Sequence, residues 1–170
     1  MHILNGMKYL KLFTIIAFIA VTSCHVSSTS KEKTVAKDEE AKTEEVKTSV
    51  TPGIHFIEND WNQALQTAKD QKKLVFLDIY ATWCGPCKML KQYTFTDSAV
   101  GNFFNKNFVN ISVDGEKGVG PQLAQQYSIE GYPTLIVADA TGKPVLLTAG
   151  YMPADALMQF ASEALKRNGQ

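Results

Sequence analysis

The chain has 170 residues, of which 45% are hydrophobic, and its 17 Lys and Arg balance its 17 Asp and Glu. This length suits one domain with additional segments and is too short for two ordinary domains. Because there is neither net positive charge nor a basic cluster, nothing electrostatic favours nucleic acid as a partner, since such binding depends on neutralising phosphates.

The N-terminal segment has the pattern of a bacterial signal peptide. Lys8 and Lys11 are followed by an apolar stretch that runs from Leu12 to Val21. Such a stretch is too short to span a bilayer comfortably, which takes about 20 residues, so we predict a signal peptide over residues 1–23. The residues that end in Cys24 resemble a lipobox, which predicts lipidation of Cys24 as the mature N-terminus. Ordinary signal peptidase cleavage and an uncleaved anchor are the alternatives.

A polar segment follows the predicted lipid site. Residues 25–52 contain no Phe, Trp or Tyr and are rich in Ser, Thr, Lys and Glu. Such a segment cannot bury enough apolar surface to offset the entropy lost on ordering. We therefore predict that residues 24–52 form the lipidated Cys and a flexible polar tether, with a reach of roughly 30 Å by random-coil scaling. The alternative is that this segment is an unimportant spacer. Residues 53–170 form the predicted globular domain.

The predicted elements of this domain alternate between strands and helices. Leu74–Tyr80 is a nearly unbroken apolar run, typical of a central strand covered on both faces, with Asp78 as the anomaly within it. The other predictions are, in order, a strand Ile54–Ile57, a helix capped by Asn59 or Asp60, a helix Cys84–Tyr93, a helix capped by Asp97, a strand Phe108–Val113, a helix Pro121–Tyr127, paired strands Thr134–Ala138 and Pro144–Ala149, and a helix from Pro153 to Gly169. This order predicts a mixed sheet sandwiched between helices.

Two cysteines lie at the start of the predicted Cys84–Tyr93 helix in the sequence Cys-Gly-Pro-Cys. A spacing of three puts both sulfurs on one helix face, close enough for a disulfide. Cys84 lies where unpaired backbone N–H groups and the helix dipole stabilise a thiolate, so it is the predicted nucleophile. Cys87 lies one turn further in and should be more shielded, and its predicted role is to resolve the mixed disulfide.

The segment Asp78–Lys88 resembles the active-site segment of thioredoxins, and Gly131–Thr134 resembles their second hallmark. The resemblance runs from about Ile54 to Arg167 and implies an α/β thioredoxin fold, with a central mixed β-sheet flanked by helices on both faces. It also implies a cis peptide bond before Pro133, a proline that faces the disulfide, and backbone pairing of Tyr132 with a bound substrate strand. The substrate-binding residues implied in this way are Trp83, Gly85, Pro86, Tyr132 and Pro133.

A second resemblance concerns proton transfer. The stretch from Lys91 to Asp97 is similar to the C-terminal thioredoxin-like domain of DsbD, and Asp78 matches the buried aspartate of thioredoxins. Burial should raise the pKa of Asp78, so that it can exchange a proton with Cys87. An aspartate that points to water is the alternative.

Two departures from the family pattern suggest that proton transfer is tuned differently here. The lysine that partners this aspartate in many thioredoxins falls at Asn110, and an acid near the site in the DsbD domain falls at Lys91. We expect Lys91 either to favour the thiolate or to be a solvated charge on a helix surface.

Three other functions for the cysteine pair are less well supported. Tetrahedral zinc needs further Cys or His ligands, and the predicted domain offers only His55, so we predict no metal and no cofactor. A purely structural disulfide across so short a loop would stabilise the fold weakly. A non-catalytic binding module of thioredoxin shape is opposed by the presence of Cys84, Cys87, Asp78 and Pro133 together.

The Gly-Pro pair between the cysteines resembles reducing members of the family. We therefore expect a protein-disulfide reductase that acts on disulfide-containing envelope proteins and faces the periplasm, anchored by lipid to the inner or outer membrane. In an oxidising compartment it would need a membrane thiol reductase as electron donor. A cytochrome c maturation role is the alternative within the same chemistry, and a monomer is expected.

Overall fold

The computed structural model describes residues 52–169. The predicted signal peptide, Cys24 and all of the predicted tether before Pro52 lie outside these residues. Over the described range, no helix is both long and apolar enough to cross a membrane.

Five strands and five α-helices make up the described domain, together with one π-helix, Leu90–Thr94, that continues directly from the second helix. In chain order they are β1 (Ile57–Glu58), α1 (Trp61–Gln71), β2 (Leu74–Tyr80), α2 (Gly85–Met89), α3 (Ser98–Asn107), β3 (Phe108–Asp114), α4 (Gly120–Gln126), β4 (Thr134–Ala138), β5 (Pro144–Ala149) and α5 (Ala154–Arg167).

The strands form one mixed sheet in the order β1-β3-β2-β4-β5. β1 and β2 both run parallel to β3, whereas β4 runs antiparallel to β2 and to β5. The predicted bounds of β2, β4 and β5 are confirmed to the residue. The apolar run of β2 is explained by its central position, with strands on both sides and helices above and below it.

Alternate residues of the central strand enter two separate cores. Phe76 packs in a core with Phe104 of α3 and Leu157 of α5 on one face of the sheet. Leu77 and its neighbours pack on the other face with α1 and α4. The predicted α/β fold, with helices on both faces, is therefore confirmed. Asp78 projects on the same face as Phe76, because side chains two apart in a strand share a face.

Two predicted boundaries are corrected. The first strand is Ile57–Glu58 rather than Ile54–Ile57, because the backbone of Ile54 donates a hydrogen bond to Phe95 O at 2.8 Å and not to a neighbouring strand. The predicted helix Cys84–Tyr93 is α2 followed by the π-helix. Asp60 and Asp97 cap α1 and α3 as predicted, each accepting a hydrogen bond from a backbone N–H three residues on.

Candidate active site

Cys84 and Cys87 form a disulfide at the N-terminus of α2, with their Cα atoms 5.4 Å apart. Cys84 is the N-cap residue, and its Sγ accepts a hydrogen bond from the backbone N–H of Cys87 at 3.1 Å. The same N–H would point at the sulfur of a Cys84 thiolate, where an anion is stabilised most. The two side chains are 3% and 2% exposed, so the expected difference in shielding is not visible in the oxidised form.

The Tyr132–Pro133 peptide bond is cis, as the resemblance implied. Tyr132 packs against the apolar cluster of Ala81, Cys84 and Cys87, which places the loop before β4 beside the disulfide. Pro133 is buried, and its carbonyl accepts a hydrogen bond from Gly150 at 2.8 Å, which ties this loop to the end of β5.

Trp83 stands on the surface beside the dithiol and is 66% exposed. Its Nε1 donates a hydrogen bond to Glu116 Oε1 at 3.0 Å. The centroids of the Trp83 and Tyr132 rings are 6.0 Å apart, in an edge-to-face arrangement. Gly85 and Pro86 are exposed next to it. The structure thus brings together all five predicted substrate-binding residues around the disulfide, while their contact with a substrate stays a prediction.

Gly115 lies under the ring of Tyr132. A Cβ at Gly115 would lie 2.5 Å from Tyr132 Cε1, closer than van der Waals contact allows. Only a glycine therefore leaves room for Tyr132 in its present place. Neither Gly115 nor Glu116 was singled out from the sequence, since both act on residues far away along the chain.

Asp78 is 1% exposed on the face of the sheet that carries α2. Its Oδ2 accepts a hydrogen bond from Ser112 Oγ at 2.9 Å, and its Oδ1 has no hydrogen-bond partner among the described residues. Burial raises the pKa of Asp78 to about 6, against the opposing effects of the Ser112 hydrogen bond and the charge of Lys91. The predicted burial and the predicted direction of the shift are confirmed, and proton exchange with Cys87 stays a prediction.

Asn110 and Lys91, the two departures from the family pattern, take different positions. Asn110 is opposite Phe76 rather than Asp78, and its Nδ2 donates to Asn105 Oδ1 at 3.1 Å. Lys91 is exposed on the π-helix, with its Nζ 3.3 Å from the centroid of the Tyr80 ring, in a cation–π contact. Its charge lowers the pKa of Asp78.

Sequence reasoning missed Ser112, the direct partner of Asp78. The sequence signal was weak, because Ser112 alternates with two other polar residues, Asn110 and Asp114, along the buried strand β3. No group of three or more His, Cys, Asp or Glu side chains among the described residues is arranged to hold a metal ion.

A five-stranded mixed sheet, a disulfide at a helix N-terminus and a cis bond before Pro133 define a thioredoxin-like protein with a dithiol site. The comparisons agree, because the Thioredoxin-like domain family matches residues 61–164. The chain belongs to this family.

Three relatives show where the chain lies within the family. The thiol:disulfide interchange protein DsbD of Pseudoalteromonas atlantica is 33% identical over 120 residues, which is 67% of this chain but only 20% of that relative. A candidate disulphide-isomerase from Bacteroides thetaiotaomicron is 38% identical with a TM-score of 0.62, over 68% of this chain and 96% of the other. The oxidised C-terminal domain of Neisseria meningitidis DsbD is 26% identical with a TM-score of 0.52, over 61% and 91% of the two chains. The chain is thus a thioredoxin-family protein similar to the DsbD C-terminal domain.

Proposed function

We propose that this protein is a thiol–disulfide oxidoreductase that reduces disulfides of cell-envelope proteins. The observation that carries the proposal is the Cys84–Cys87 disulfide at a helix N-terminus, beside the cis bond that precedes Pro133. A structural disulfide would need neither an exposed Trp83 beside it nor a buried carboxylic acid in the strand that leads to it. The similarity to DsbD supports the same chemistry.

In the proposed reaction the reduced Cys84 thiolate attacks one sulfur of a substrate disulfide. The substrate S–S bond breaks, a Cys84–substrate bond forms, and the first substrate sulfur leaves as a thiolate that takes up a proton. Cys87 then loses its proton to Asp78 and attacks Cys84 Sγ, which releases the second substrate sulfur and forms the Cys84–Cys87 bond. Two electrons have passed to the substrate, and the protein is left oxidised as in the structure.

The substrate would lie across the surface formed by the exposed residues Trp83, Gly85 and Pro86 and the half-buried Tyr132. In this arrangement an extended segment pairs with the backbone of Tyr132 next to Pro133, and its disulfide reaches Cys84. The rings of Trp83 and Tyr132 offer apolar area that the side chains of the substrate segment can contact. We propose contact with extended segments of partly folded proteins on this ground.

The setting of the reaction is proposed from the N-terminal sequence. Residues 1–23 would act as a signal peptide, Cys24 would carry lipid, and the polar segment to residue 52 would link the membrane to the domain, facing the periplasm. A membrane thiol reductase would return electrons to the Cys84–Cys87 disulfide. Globomycin, which blocks cleavage of prolipoproteins, and palmitate labelling test the anchor, with Cys24→Ser expected to abolish labelling.

Insulin reduction with dithiothreitol as electron donor tests the activity. The unchanged protein is expected to accelerate precipitation of the insulin B chain, and Cys84→Ala is expected to abolish that acceleration. Equal turnover by both proteins would exclude the proposed nucleophile. The direction of electron flow is tested by equilibrating the couple with glutathione: a strongly reducing potential supports a reductase, and a value near about −120 mV, typical of a strong oxidant, would contradict it.

A further inference from the structure

Three polar side chains lie in one row across the sheet. Glu58 of β1 pairs with Ser112 of β3, and Ser112 pairs with Asp78 of β2. Neighbouring strands are about 4.8 Å apart, and residues directly opposite each other project from the same face. Glu58 and Asp78 therefore stand on the same face of the sheet with Ser112 between them.

The row runs from the interior to solvent. Asp78 and Ser112 are each 1% exposed, whereas Glu58 at the sheet edge is exposed. A cleft of about 210 Å³ lies over this end of the row, and its polar lining comes from Glu58, Lys91, Thr96 and Ser112. This volume is ample for several water molecules, which need about 30 Å³ each.

We propose that Glu58 exchanges protons between solvent and Asp78, with Ser112 as the hydroxyl that links them. This inference rests on the proposed dithiol function and extends it, because it states how the buried carboxyl group is protonated and deprotonated in each cycle. The site is assembled from three strands, and its outer residue comes from the shortest of them.

The proton balance follows from the release step. Asp78 can take up the Cys87 proton only as a carboxylate, so a protonated Asp78 must first pass its own proton outward before Cys87 attacks Cys84 Sγ. Ser112 Oγ donates its hydrogen to the ionised Asp78 at Oδ2. When Asp78 is protonated, its O–H donates to Ser112 Oγ instead, and the Ser112 hydroxyl hydrogen turns to the cleft. Proton hops through the cleft water and Ser112 carry the Asp78 proton to the Glu58 carboxylate. Glu58 then releases it to solvent, and no oxidant beyond the substrate disulfide is needed.

The charges around the row suit this exchange. The charged groups that act on Asp78 are Lys91 from the π-helix, which lowers its pKa, and Glu58, which raises it. Burial raises the pKa of Glu58 as well, against the opposing charge of Lys91. The pKa values of both carboxyl groups are thereby shifted in the same direction. Lys91 itself stays near the row through its contact with the Tyr80 ring.

The test follows the two thiol steps separately. Reduced protein is mixed with one equivalent of DTNB, so that a first coloured thiolate leaves when Cys84 attacks and a second leaves when Cys87 attacks. The rates of both phases are measured from pH 5 to pH 9 for the unchanged protein, Glu58→Gln and Glu58→Asp. Glu163→Gln is the matched control, because Glu163 is an exposed glutamate that pairs with Arg167 on α5.

We expect Glu58→Gln to slow the second phase about tenfold near pH 6, where much of Asp78 still carries a proton, less than the 100-fold or more for a group that transfers the proton directly. The first phase should be unchanged, added formate should restore the second phase, and Glu58→Asp should retain most of the rate. A second phase identical to that of Glu163→Gln at every pH would overturn the proposal. A slowing that is uniform with pH and insensitive to formate would also overturn it, since that result indicates a structural effect.

Ser112 offers an independent variant. Ser112→Ala should slow the second phase at least as much as Glu58→Gln, and Ser112→Thr, which keeps the hydroxyl, should restore it. Failure of the proposed dithiol function would give a different result from failure of the Glu58 proposal. The unchanged protein would then show only one phase, or a second phase that persists in Cys87→Ala.

Discussion

Ser112 Oγ donates its hydrogen bond to one oxygen of Asp78, at 2.9 Å, and leaves the other oxygen with no hydrogen-bond partner among the described residues. A single neutral donor stabilises a buried carboxylate only in part. The loss of hydration on burial therefore dominates, and the pKa of Asp78 lies well above its ordinary value.

This pKa predicts how stability changes with pH. Asp78 titrates at about 6 in the folded protein, against an ordinary value of 3.8, so between these values the folded state binds more protons than the unfolded state. The free energy of unfolding should therefore be highest below the lower value, fall as pH rises to about 6, and level off above it. The shift of about 2 units corresponds to roughly 3 kcal/mol.

Asp78→Asn should remove the fall in the free energy of unfolding that accompanies ionisation of Asp78. The oxidised variant should therefore be more stable than the unchanged protein by up to about 3 kcal/mol at pH 8 but not at pH 4. Urea unfolding at a series of pH values measures the difference. Asp70→Asn is the control, because Asp70 is exposed and accepts a hydrogen bond that Asn can also accept. A gain of the same size at both pH values would contradict the assignment to Asp78 ionisation.

The two cysteines should fail in different ways when replaced. Cys87→Ala removes the resolving sulfur, so the mixed disulfide between Cys84 and a substrate should accumulate and be visible on non-reducing gels. Cys84→Ala should trap no such adduct under the same conditions. Adducts of equal abundance in both variants would show that the nucleophile is assigned to the wrong cysteine.

Tyr132 should be displaced by a single methyl group placed beneath its ring. Gly115→Ala puts a Cβ within 2.5 Å of Tyr132 Cε1, so the ring must move away from the disulfide. We expect the rate of insulin reduction to fall about tenfold, mainly through a higher KM. Overpacking should also lower the free energy of unfolding by about 1–3 kcal/mol.

Gly131→Ala is the matched control, because a Cβ at Gly131 meets no atom within 4 Å although it adjoins Tyr132. It should retain most of the activity. If the two variants lose activity equally, flexibility of the loop rather than the space beneath Tyr132 governs the site.

Glu116 should orient Trp83 for substrate binding. Glu116→Ala removes the acceptor of the Trp83 Nε1 hydrogen bond, an interaction to a charged group worth about 1.5–3 kcal/mol at most and less on an exposed surface. We expect KM for a peptide disulfide to rise several-fold while kcat changes little, with Glu116→Gln intermediate. An unchanged KM would mean that the substrate does not use the Trp83 ring in this orientation.

The sequence predicts this fold well where its signals are local. The bounds of β2, β4 and β5 follow from short apolar runs, and the starts of α1 and α3 follow from the capping residues Asp60 and Asp97. The cysteine pair and the cis-proline are recognisable because each lies within a contiguous motif.

The features that sequence reasoning missed depend on strand register and tertiary contact. Ser112 becomes the partner of Asp78 only through the pairing of β3 with β2. Glu58 joins them only because β1 begins later than its apolar residues suggest. The π-helix depends on tertiary packing as well, because Leu90 and Thr94 are buried while the backbone N–H of Phe95 bonds to Leu90 O at 2.8 Å.

The way in which the described chain enters the domain has a mechanical consequence. The carbonyl of Gly53 accepts a hydrogen bond from Asn105, the N–H of Ile54 bonds to Phe95, and the N–H of His55 bonds to Asn105 Oδ1. A pulling force applied ahead of residue 52 would thus be shared between α3 and the end of the π-helix before it reached any strand. The Cys84–Cys87 disulfide lies at the opposite end of that helical segment, so the contacts that anchor the chain and the reacting sulfurs occupy separate ends of it.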